Sequence, residues 1–307
     1  MRIICGTDLS PNAAPALEAA AALARRTHDV VELVCATGST LHLAAIPDTA
    51  QGIESPQSLR SRQLATDAAR WRQAGVAVEA VLDDEPPAEA LVQRAARDDT
   101  RLVVLGAVGH GLLSRLLIGS VAERVAMASP VPVLVVREGD AWRAWGAHER
   151  PLRVVVAFDR GASARGALAW SAWLATLGDV QLTVCRVVHP AFENARDKAA
   201  GPGAGLDLTP ATRAALADEL RRDTDPLVPA DTARHLEANL GRVDHAVSQY
   251  ARSIDADLLV VGSHQRTGWE RLWEGSVSRG VLHHAPMSVV VVPRAGKDGT
   301  TGGREDE

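Results

Sequence analysis

LVVLGAVGHGLLSRLLIGSVAERVAMASPVPVLVV, residues Leu102–Val136, is the stretch of sequence that decides the fold. An apolar run ends at Gly106, Gly109 follows it, and Gly119 and Ser120 then open a helical pattern that leads to a second apolar run. Continuous apolar runs of this kind are typical of strands that are buried on both faces of a parallel sheet. The stretch therefore predicts a strand, a glycine-containing loop, a helix and a further strand.

The same unit occurs a second time as LLVVGSHQRTGWERLWEGSVSRGVLHHAPMSVVVV, residues Leu258–Val292. Gly262 and the pair Gly275–Ser276 lie 156 positions after their counterparts in the first copy. Upstream, Asp8 and Asp159 each follow a short apolar strand and are 151 positions apart. The chain is therefore a tandem repeat, and its chemistry should be sought in the repeated loop.

Helical and strand patterns alternate through both copies. In the first copy we predict strands at 2–7, Val30–Thr37, Val76–Leu82, Arg101–Leu105 and Pro132–Val136, and helices at Ala13–Arg26, Gln57–Gln73, Pro86–Arg97 and about Ser114–Ala128. This alternation predicts an α/β fold: two repeated Rossmann-like or flavodoxin-like domains, each with an open, mainly parallel five-stranded sheet flanked by helices. In the second copy, the strand Gln181–Val188 is predicted to place Cys185 at the position of Cys35.

Changes in composition suggest the domain boundaries. We expect a first domain at 1–138, a polar linker at 139–151, a second domain at 152–294 and a disordered tail at 295–307. Trp142 and Trp145 interrupt the polar linker, and we expect them to pack against a neighbouring domain.

Composition excludes several classes of protein. The 307 residues are 46% hydrophobic and carry a formal charge of −5 with both signs interspersed, which argues against a nucleic-acid or membrane partner. No apolar run approaches the roughly 18–20 residues of a membrane span, and the sequence enters a strand pattern at once, which leaves no signal peptide. Cys5, Cys35 and Cys185 all lie in apolar strands and are expected to be small buried hydrophobes. These features favour the cytoplasm.

The ends of the predicted strands suggest an anion site. Ligands of open parallel sheets bind beyond the carboxyl ends of the strands, where the strand order reverses. If the strands before Asp8 and Gly106 are neighbours, both residues face one crevice. A glycine loop that opens a helix offers unpaired N–H groups to a phosphate, and Ser120 adds a hydroxyl.

Two well-known phosphate motifs do not match this loop. The chain has no G-x-x-x-x-G-K-[ST], and Ser114 stands where G-x-G-x-x-G needs its last glycine. The pattern that does match is G-x2-G-x9-G-[ST] after a strand, from Gly106 through Gly109 to Gly119–Ser120. With Asp8 at the end of the first strand, and with the pattern repeated, the chain closely resembles the universal stress protein family in its tandem two-domain form.

This resemblance implies an adenine-nucleotide site, with ATP as cofactor and magnesium arriving only through its phosphates. Position by position, it implies that Asp8 holds the ribose or adenine and that Thr37 lines the adenine slot. The ribose and phosphates would be wrapped by Gly106, Gly109, Gly119, Ser120 and Val121, and in the second domain by Asp159, Gly262, Gly275 and Ser276. It also implies a pseudo-dimer of the two domains through their last strands, and the whole chain could form a homodimer.

The second domain departs from the pattern at one position, because Gln265 stands where the first domain has Gly109. A glutamine disfavours positive φ and adds a side chain, so we expect the first domain to bind ATP and the second to bind weakly or not at all.

Simpler interpretations remain open for the individual residues. Asp8 and Asp159 could be helix-capping or turn residues, Ser120 and Ser276 could merely begin helices, and Gly119 and Gly275 could serve helix–sheet packing. His110 and Arg266, at equivalent positions, could contact phosphate. No nucleophile with an oriented base and no metal site is apparent. A slow ATP hydrolase or transferase, or a protein-interaction scaffold without nucleotide, is the alternative to a nucleotide-binding stress-response protein.

Overall fold

The computed structural model describes residues 1–38, 55–109, 118–196, 207–263 and 277–294. Several sequence predictions lie outside these residues: the loop positions Gln265, Gly275 and Ser276, the paired positions His110 and Arg266, and the tail at 295–307.

Strands and helices alternate in both halves, as predicted. The first half contains β1 (Arg2–Gly6), α1 (Ala14–Thr27), β2 (Val30–Ala36), α2 (Pro56–Gln73), β3 (Val78–Asp83), α3 (Pro87–Ala95), β4 (Thr100–Gly106), α4 (Ser120–Ala128), β5 (Val133–Val136) and α5 (Asp140–Gly146). The second half contains β6 (Leu152–Ala157), α6 (Ala162–Thr176), β7 (Val180–Val188), α7 (Pro190–Arg196), α8 (Pro210–Thr224), β8 (Ala233–Ala238), α9 (Val243–Ser253), β9 (Leu258–Ser263), α10 (Val277–His284) and β10 (Ser288–Pro293).

The described strands form a single ten-stranded sheet in the order β3-β2-β1-β4-β5-β10-β9-β6-β7-β8. Within each half the strands are parallel, and β1 pairs with both β2 and β4. The first and fourth strands are therefore neighbours, which is the condition that the sequence left open for a shared crevice. The strand order reverses between β1 and β4, so the crevice expected of an open parallel sheet lies at their carboxyl ends.

Helices cover both faces of the sheet. One face carries α1, α2, α5, α6 and α8, whose buried side chains pack with alternate strand residues such as Cys5 and Leu33. The other face carries α3, α4, α9 and α10, which pack on the intervening residues such as Ile4 and Val34. Burial of strands on both faces explains their unbroken apolar runs. Cys5, Cys35 and Cys185 are buried and free, as predicted.

The two halves join through β5 and β10, which pair antiparallel. Leu134 lies opposite Val290, and these two residues occupy the same position in the two copies of the repeat. A pseudo-twofold axis therefore passes through this pair of residues. The pairing of the last strands that the resemblance implies is observed, and it leaves neither strand as an open edge.

The segment predicted as a polar linker contains a helix. Trp142 and Trp145 in α5 are 0% and 1% exposed, and their rings meet edge to face with centroids 6.0 Å apart. α5 packs against α1 and contacts β6, so the tryptophans extend the core across the junction between the halves. The sequence prediction did not include this helix, because the residues around it are mostly polar and a short helix needs only one apolar stripe to be buried.

Two further predictions need correction. Where a helix was expected from about Ser114 to Ala128, α4 begins at Ser120, because Gly119 before it has an extended backbone with φ −72° and ψ 147°, and Ser114 itself lies outside the described residues. The position of Cys185 was wrong by one residue: Gly6 pairs with Val34, whereas the equivalent Ala157 pairs with Cys185. The counterpart of Cys35 is therefore Arg186.

Candidate functional site

A cavity of about 310 Å³ lies at the carboxyl ends of β1 and β4. Its lining is Gly6, Thr7, Asp8, Ala13, Val34, Ala36, Pro87, Leu91, Leu105, Gly106, Val108, Gly109, Gly119, Ser120, Val121 and Ala122. Seven residues assigned to the first-half site from the sequence were Asp8, Thr37, Gly106, Gly109, Gly119, Ser120 and Val121, and all except Thr37 lie in this lining. The volume is at the lower end of the range of small-molecule sites, roughly 300–1,000 Å³.

Asp8 stands at one wall of the cavity on a fixed turn. Its Oδ1 accepts hydrogen bonds from Ser10 N at 3.0 Å and Ser10 Oγ at 2.6 Å. Leu9, between Asp8 and Ser10, has φ 61°, in the left-handed backbone region that residues other than glycine seldom adopt. Asp8 therefore acts as a turn residue, which the sequence had left as one possibility. Both hydrogen bonds from Ser10 in this turn go to Oδ1.

The other oxygen of Asp8 faces the glycine loop. A Cβ added to Gly109 would lie 2.7 Å from Asp8 Oδ2, which is closer than two such atoms can approach. Among the described glycines, positive φ is confined to Gly38 and Gly75, so Gly109 does not need glycine for its backbone angle. The expectation of a positive φ was wrong here: the constraint is lack of space beside the carboxylate.

The glycine loop is closed at its base. Gly119 N donates to Ala107 O at 2.7 Å, and Ala107 N donates to Val136 O at 2.8 Å. These bonds bring the start of α4 back to the end of β4. A Cβ on Gly119 would meet its nearest atom, Ala107 O, at 3.5 Å, which is an ordinary contact. Close packing against the described residues therefore does not explain why this position is glycine.

The first turn of α4 completes one side of the cavity. Ser120 is the first residue of the helix and is exposed, while Val121 and Ala122 follow it along the lining. The first four N–H groups of a helix have no acceptor within the helix, so this end of the cavity presents donors and a positive dipole end to a ligand. The other end is apolar and is formed by β2, α3 and β4. The cavity can therefore hold a molecule with an apolar ring at one end and an anion at the other.

Sequence reasoning did not identify the apolar end of the cavity, and one of the residues it assigned lies outside the described lining. Thr37 follows β2 outside the described lining, and its hydroxyl donates to Asp83 O at 3.3 Å. The β2 residues that face the cavity are Val34 and Ala36, three positions and one position before Thr37. The period of two in a strand could have indicated this pair, because residues on one face alternate. No comparable signal marks Pro87 or Leu91, which reach the site only through the packing of α3.

The second half repeats part of this framework. Asp159 Oδ1 accepts from Gly161 N at 2.8 Å, and Arg160 has φ 72°, so the turn after β6 matches that after β1. Gly262 has a structural reason to be glycine, since a Cβ there would lie 2.4 Å from the backbone of Ser163. Packing of α6 on β9 thus accounts for Gly262, whereas Gly275 and Ser276 lie outside the described residues.

The floor beside this turn is built differently in the two halves. A Cβ on Gly6 would lie 2.4 Å from Leu105 Cδ2 and 3.1 Å from Leu91 Cδ1. In the second half Ala157 takes the place of Gly6, and valines take the places of both leucines. The smaller valines make room for the extra methyl group. The halves have therefore diverged in the residues that shape the cavity.

Charge in the described lining is limited to one group. Asp8 is the only ionisable side chain among these residues. Favourable interactions with the negative charge of an anionic ligand must therefore come from backbone N–H groups and the start of α4. Within the described segments no group of three His, Cys, Asp or Glu side chains could hold a metal ion. None of the helices in those segments has the length and apolar character needed to cross a bilayer.

Comparison with known proteins agrees with this architecture. A family model described as the universal stress protein family matches residues 1–137 and 152–293. The chain belongs to the universal stress protein family. The family match thus occurs twice, once in each half of the ten-stranded sheet.

Relatives with the family name resemble this universal stress protein over most of the chain. One from Mycobacterium tuberculosis is 30% identical over 211 residues, which are 63% of this chain and 62% of that relative, just under two thirds of its length. One from Mycolicibacterium smegmatis is 26% identical over 227 residues, 71% of this chain and 69% of the relative. The crystal structure of a universal stress protein from Archaeoglobus fulgidus has a TM-score of 0.69 at 19% identity and covers 95% of this chain and 98% of its own. That likeness establishes the shared two-half fold.

Proposed function

We propose that the first-half cavity binds an adenine nucleotide, ATP, and that the chain acts as a nucleotide-binding stress-response protein to which no catalysed reaction is assigned. The observation that carries the proposal is the convergence of Asp8, three glycines and the first turn of α4 on one cavity. The apolar end suits a purine ring, the Asp8 carboxylate can accept from ribose hydroxyls, and the helix start suits phosphates. Magnesium would arrive with the phosphates, since the described lining offers it only one carboxylate.

We further propose that the second half is the weaker site. In the first half, any side chain at the Gly109 position would press on Asp8, the aspartate that follows β1. The second half has a glutamine at that position, and its turn keeps Asp159 in the same arrangement. A floor rebuilt around Ala157 adds a second difference. The expected stoichiometry is therefore one tightly bound nucleotide per chain.

Native extraction and calorimetry test both statements. Small molecules released from the purified chain should include an adenine nucleotide, and titration with ATP should give one strong site. At a ligand concentration about 100 times the dissociation constant, binding should stabilise the fold by about 2.7 kcal/mol in thermal unfolding. Two equal sites would refute the asymmetry. No nucleotide on extraction and no thermal shift would refute ATP binding and favour a scaffold, and steady release of ADP or AMP would favour the enzyme.

A further inference from the structure

Glu123 connects the candidate site to the other half of the molecule. It lies in the first turn of α4, and its backbone N–H donates to Gly119 O at 3.0 Å. Its carboxylate accepts a hydrogen bond from Arg279 Nε at 2.7 Å and lies 3.3 Å from His283 Nε2. Arg279 and His283 both belong to α10 of the second half. The helix that opens the candidate phosphate end is thus held by side chains from the opposite half.

This contact falls close to the pseudo-twofold axis. Glu123 and Arg279 are 156 positions apart, so they are the same position in the two copies of the repeat. Like residues at such a position would place like charges together, as two copies of either half would. The chain instead carries opposite charges at the two positions, and the side chain of Glu123 is only 22% exposed.

The charge of Glu123 matters for an anion at the start of α4. Ser120 is three residues earlier, about 4.5 Å along the helix axis, so the charge of Glu123 would act on a phosphate bound there at low ionic strength, where the Debye length is about 30 Å. An acidic residue in the first turn stabilises a helix through its favourable interaction with the helix dipole, but its charge also repels any anion bound at the same end. Although burial alone would raise the pKa of Glu123, hydrogen bonds from His283 and Arg279 hold that pKa below its ordinary value, so the carboxylate is ionised at neutral pH.

We infer that Arg279 of the second half sets the affinity of the first-half site for phosphate-bearing ligands, because it cancels the charge of Glu123. This inference rests on the proposed nucleotide site and names its regulation. Arg279 does not line the cavity, so it acts through Glu123 and not by touching the ligand. The second half then serves the first as an electrostatic partner, whether or not it binds nucleotide itself.

The test measures ATP and adenosine binding by calorimetry on the full chain at low ionic strength. Arg279→Gln should weaken ATP binding by on the order of three- to tenfold and leave adenosine binding unchanged, because only ATP carries the phosphates that Glu123 repels. Glu123→Gln should strengthen ATP binding by a similar factor. The double variant should return to within about twofold of the wild type, since both charges are gone. Arg279→Lys should keep most of the wild-type affinity.

Controls separate this effect from loss of structure and from failure of the proposed site. Arg221→Gln removes an exposed arginine that pairs with Asp218 on α8, and it should change neither affinity. High salt should reduce the effect of Arg279→Gln. Unchanged ATP binding in that variant, equal loss of ATP and adenosine, or no recovery in the double variant would overturn the inference while the nucleotide site stood. A wild-type chain that binds neither ligand would overturn the proposed function and this inference with it.

Discussion

Gly109 is the residue at which the two halves can be compared most directly. The first half has space for a hydrogen atom beside Asp8 Oδ2, and a Cβ would be 2.7 Å away. Asp8 cannot easily withdraw, because its other oxygen is held by two hydrogen bonds from Ser10. Any side chain at position 109 must therefore displace either Asp8 or the loop that carries residue 109.

We expect Gly109→Gln, which installs the second-half residue in the first half, to weaken ATP binding by about tenfold or more, or about 1.4 kcal/mol per tenfold. Calorimetry gives the affinity, and thermal unfolding without ligand should show a loss of at most about 1 kcal/mol, the cost of disturbing the hydrogen bonds of the Asp8 turn. Gly166→Ala is the matched control: a Cβ there meets its nearest atoms at 3.7 Å, so binding should be unaffected. Equal ATP affinity in Gly109→Gln and wild type would mean that Gln265 does not account for any weakness of the second site.

Asp8 has two separable roles that a pair of substitutions can distinguish. Asp8→Asn keeps an acceptor for Ser10 N and should leave stability near that of the wild type, whereas Asp8→Ala should lose about 1 kcal/mol with the turn hydrogen bonds. Both variants should bind nucleotide more weakly if the carboxylate accepts from the ribose. Denaturant unfolding and ATP titration of the two variants give the answer. Full nucleotide affinity in Asp8→Asn would reduce the role of Asp8 to the turn.

At the scale of the elements, α5 makes the junction between the halves part of the core. Arg26 of α1 donates to Trp145 O and to Leu177 O, both at 2.7 Å, and its guanidinium lies 4.1 Å from the centre of the Trp145 ring. Leu177 follows α6 of the second half, so one arginine joins α1, α5 and α6. Burial lowers the pKa of Arg26, which shows the cost of enclosing its charge here.

We expect Trp145→Ala to destabilise the chain by about 3–5 kcal/mol, because it leaves a large cavity and removes the ring beside Arg26. Trp173→Ala is the control, since that indole is only partly buried beside Arg101, and its loss should cost clearly less. Equilibrium unfolding in urea measures both. Equal and small losses would indicate that α5 is an accessory of the fold and not part of its core.

The same elements show how far sequence alone reaches. Period and repeat predicted the strands, because these depend on burial patterns that every residue of a strand shares. The pairing of β5 with β10 was implied by the family resemblance, and the adjacency of β1 and β4 entered only as a condition. The offset of Cys185 was wrong because one residue of register cannot be read from an apolar run. The place of Thr37 outside the described lining has a related reason, since a motif carried over by position does not say on which face of the sheet a strand-end side chain lies.

The contacts of the first turn of α4 could not be predicted at all. Glu123 and Arg279 belong to separate copies of the repeat, and their contact exists only once the pseudo-twofold axis is known. Pro87 and Leu91 reach the cavity in the same way, through the packing angle of a helix that the sequence does not specify. Local patterns predict elements, but sites formed between elements depend on the docking of those elements.

For the molecule as a whole, one continuous sheet means that the halves cannot change their relation without disturbing β5 and β10. The axis passes through two apolar residues, Leu134 and Val290, and the polar contacts lie to its sides. Arg137 Nη2 donates to Leu282 O at 2.7 Å, and its backbone N–H donates to Ser288 Oγ at 3.3 Å. Together with the Glu123–Arg279 pair, these bonds give the junction a set of polar contacts that favours joining two different halves.

Four paired carboxylates, of which only Glu123 lies at the junction between the halves, make the stability of the fold depend on pH in acid. Asp29, Glu123, Glu219 and Asp244 all have a pKa below the ordinary value because burial, which would raise it, is outweighed by arginine partners, joined at Asp29 by the N-terminal amine and at Glu123 by His283. A carboxylate whose pKa is lower in the folded state than in the unfolded chain stabilises the fold fully above the unfolded pKa, which is 4.5 for glutamate. That contribution is lost as the pH falls through the lower, folded value.

We therefore expect the melting temperature to fall as the pH is lowered from about 4.5 towards 3, with these four groups adding no pH dependence between about 6 and 7. Glu123→Gln should make this fall in melting temperature below about pH 4.5, the acid branch of the profile, shallower, because the neutral side chain has no proton to take up. Glu89→Gln, at an exposed ion pair within the first half, should leave the branch as it is in the wild type. Thermal unfolding followed by circular dichroism at each pH measures the three profiles. If Glu123→Gln and wild type gave parallel acid branches, the junction between the halves would not be among the parts of the fold that acid weakens.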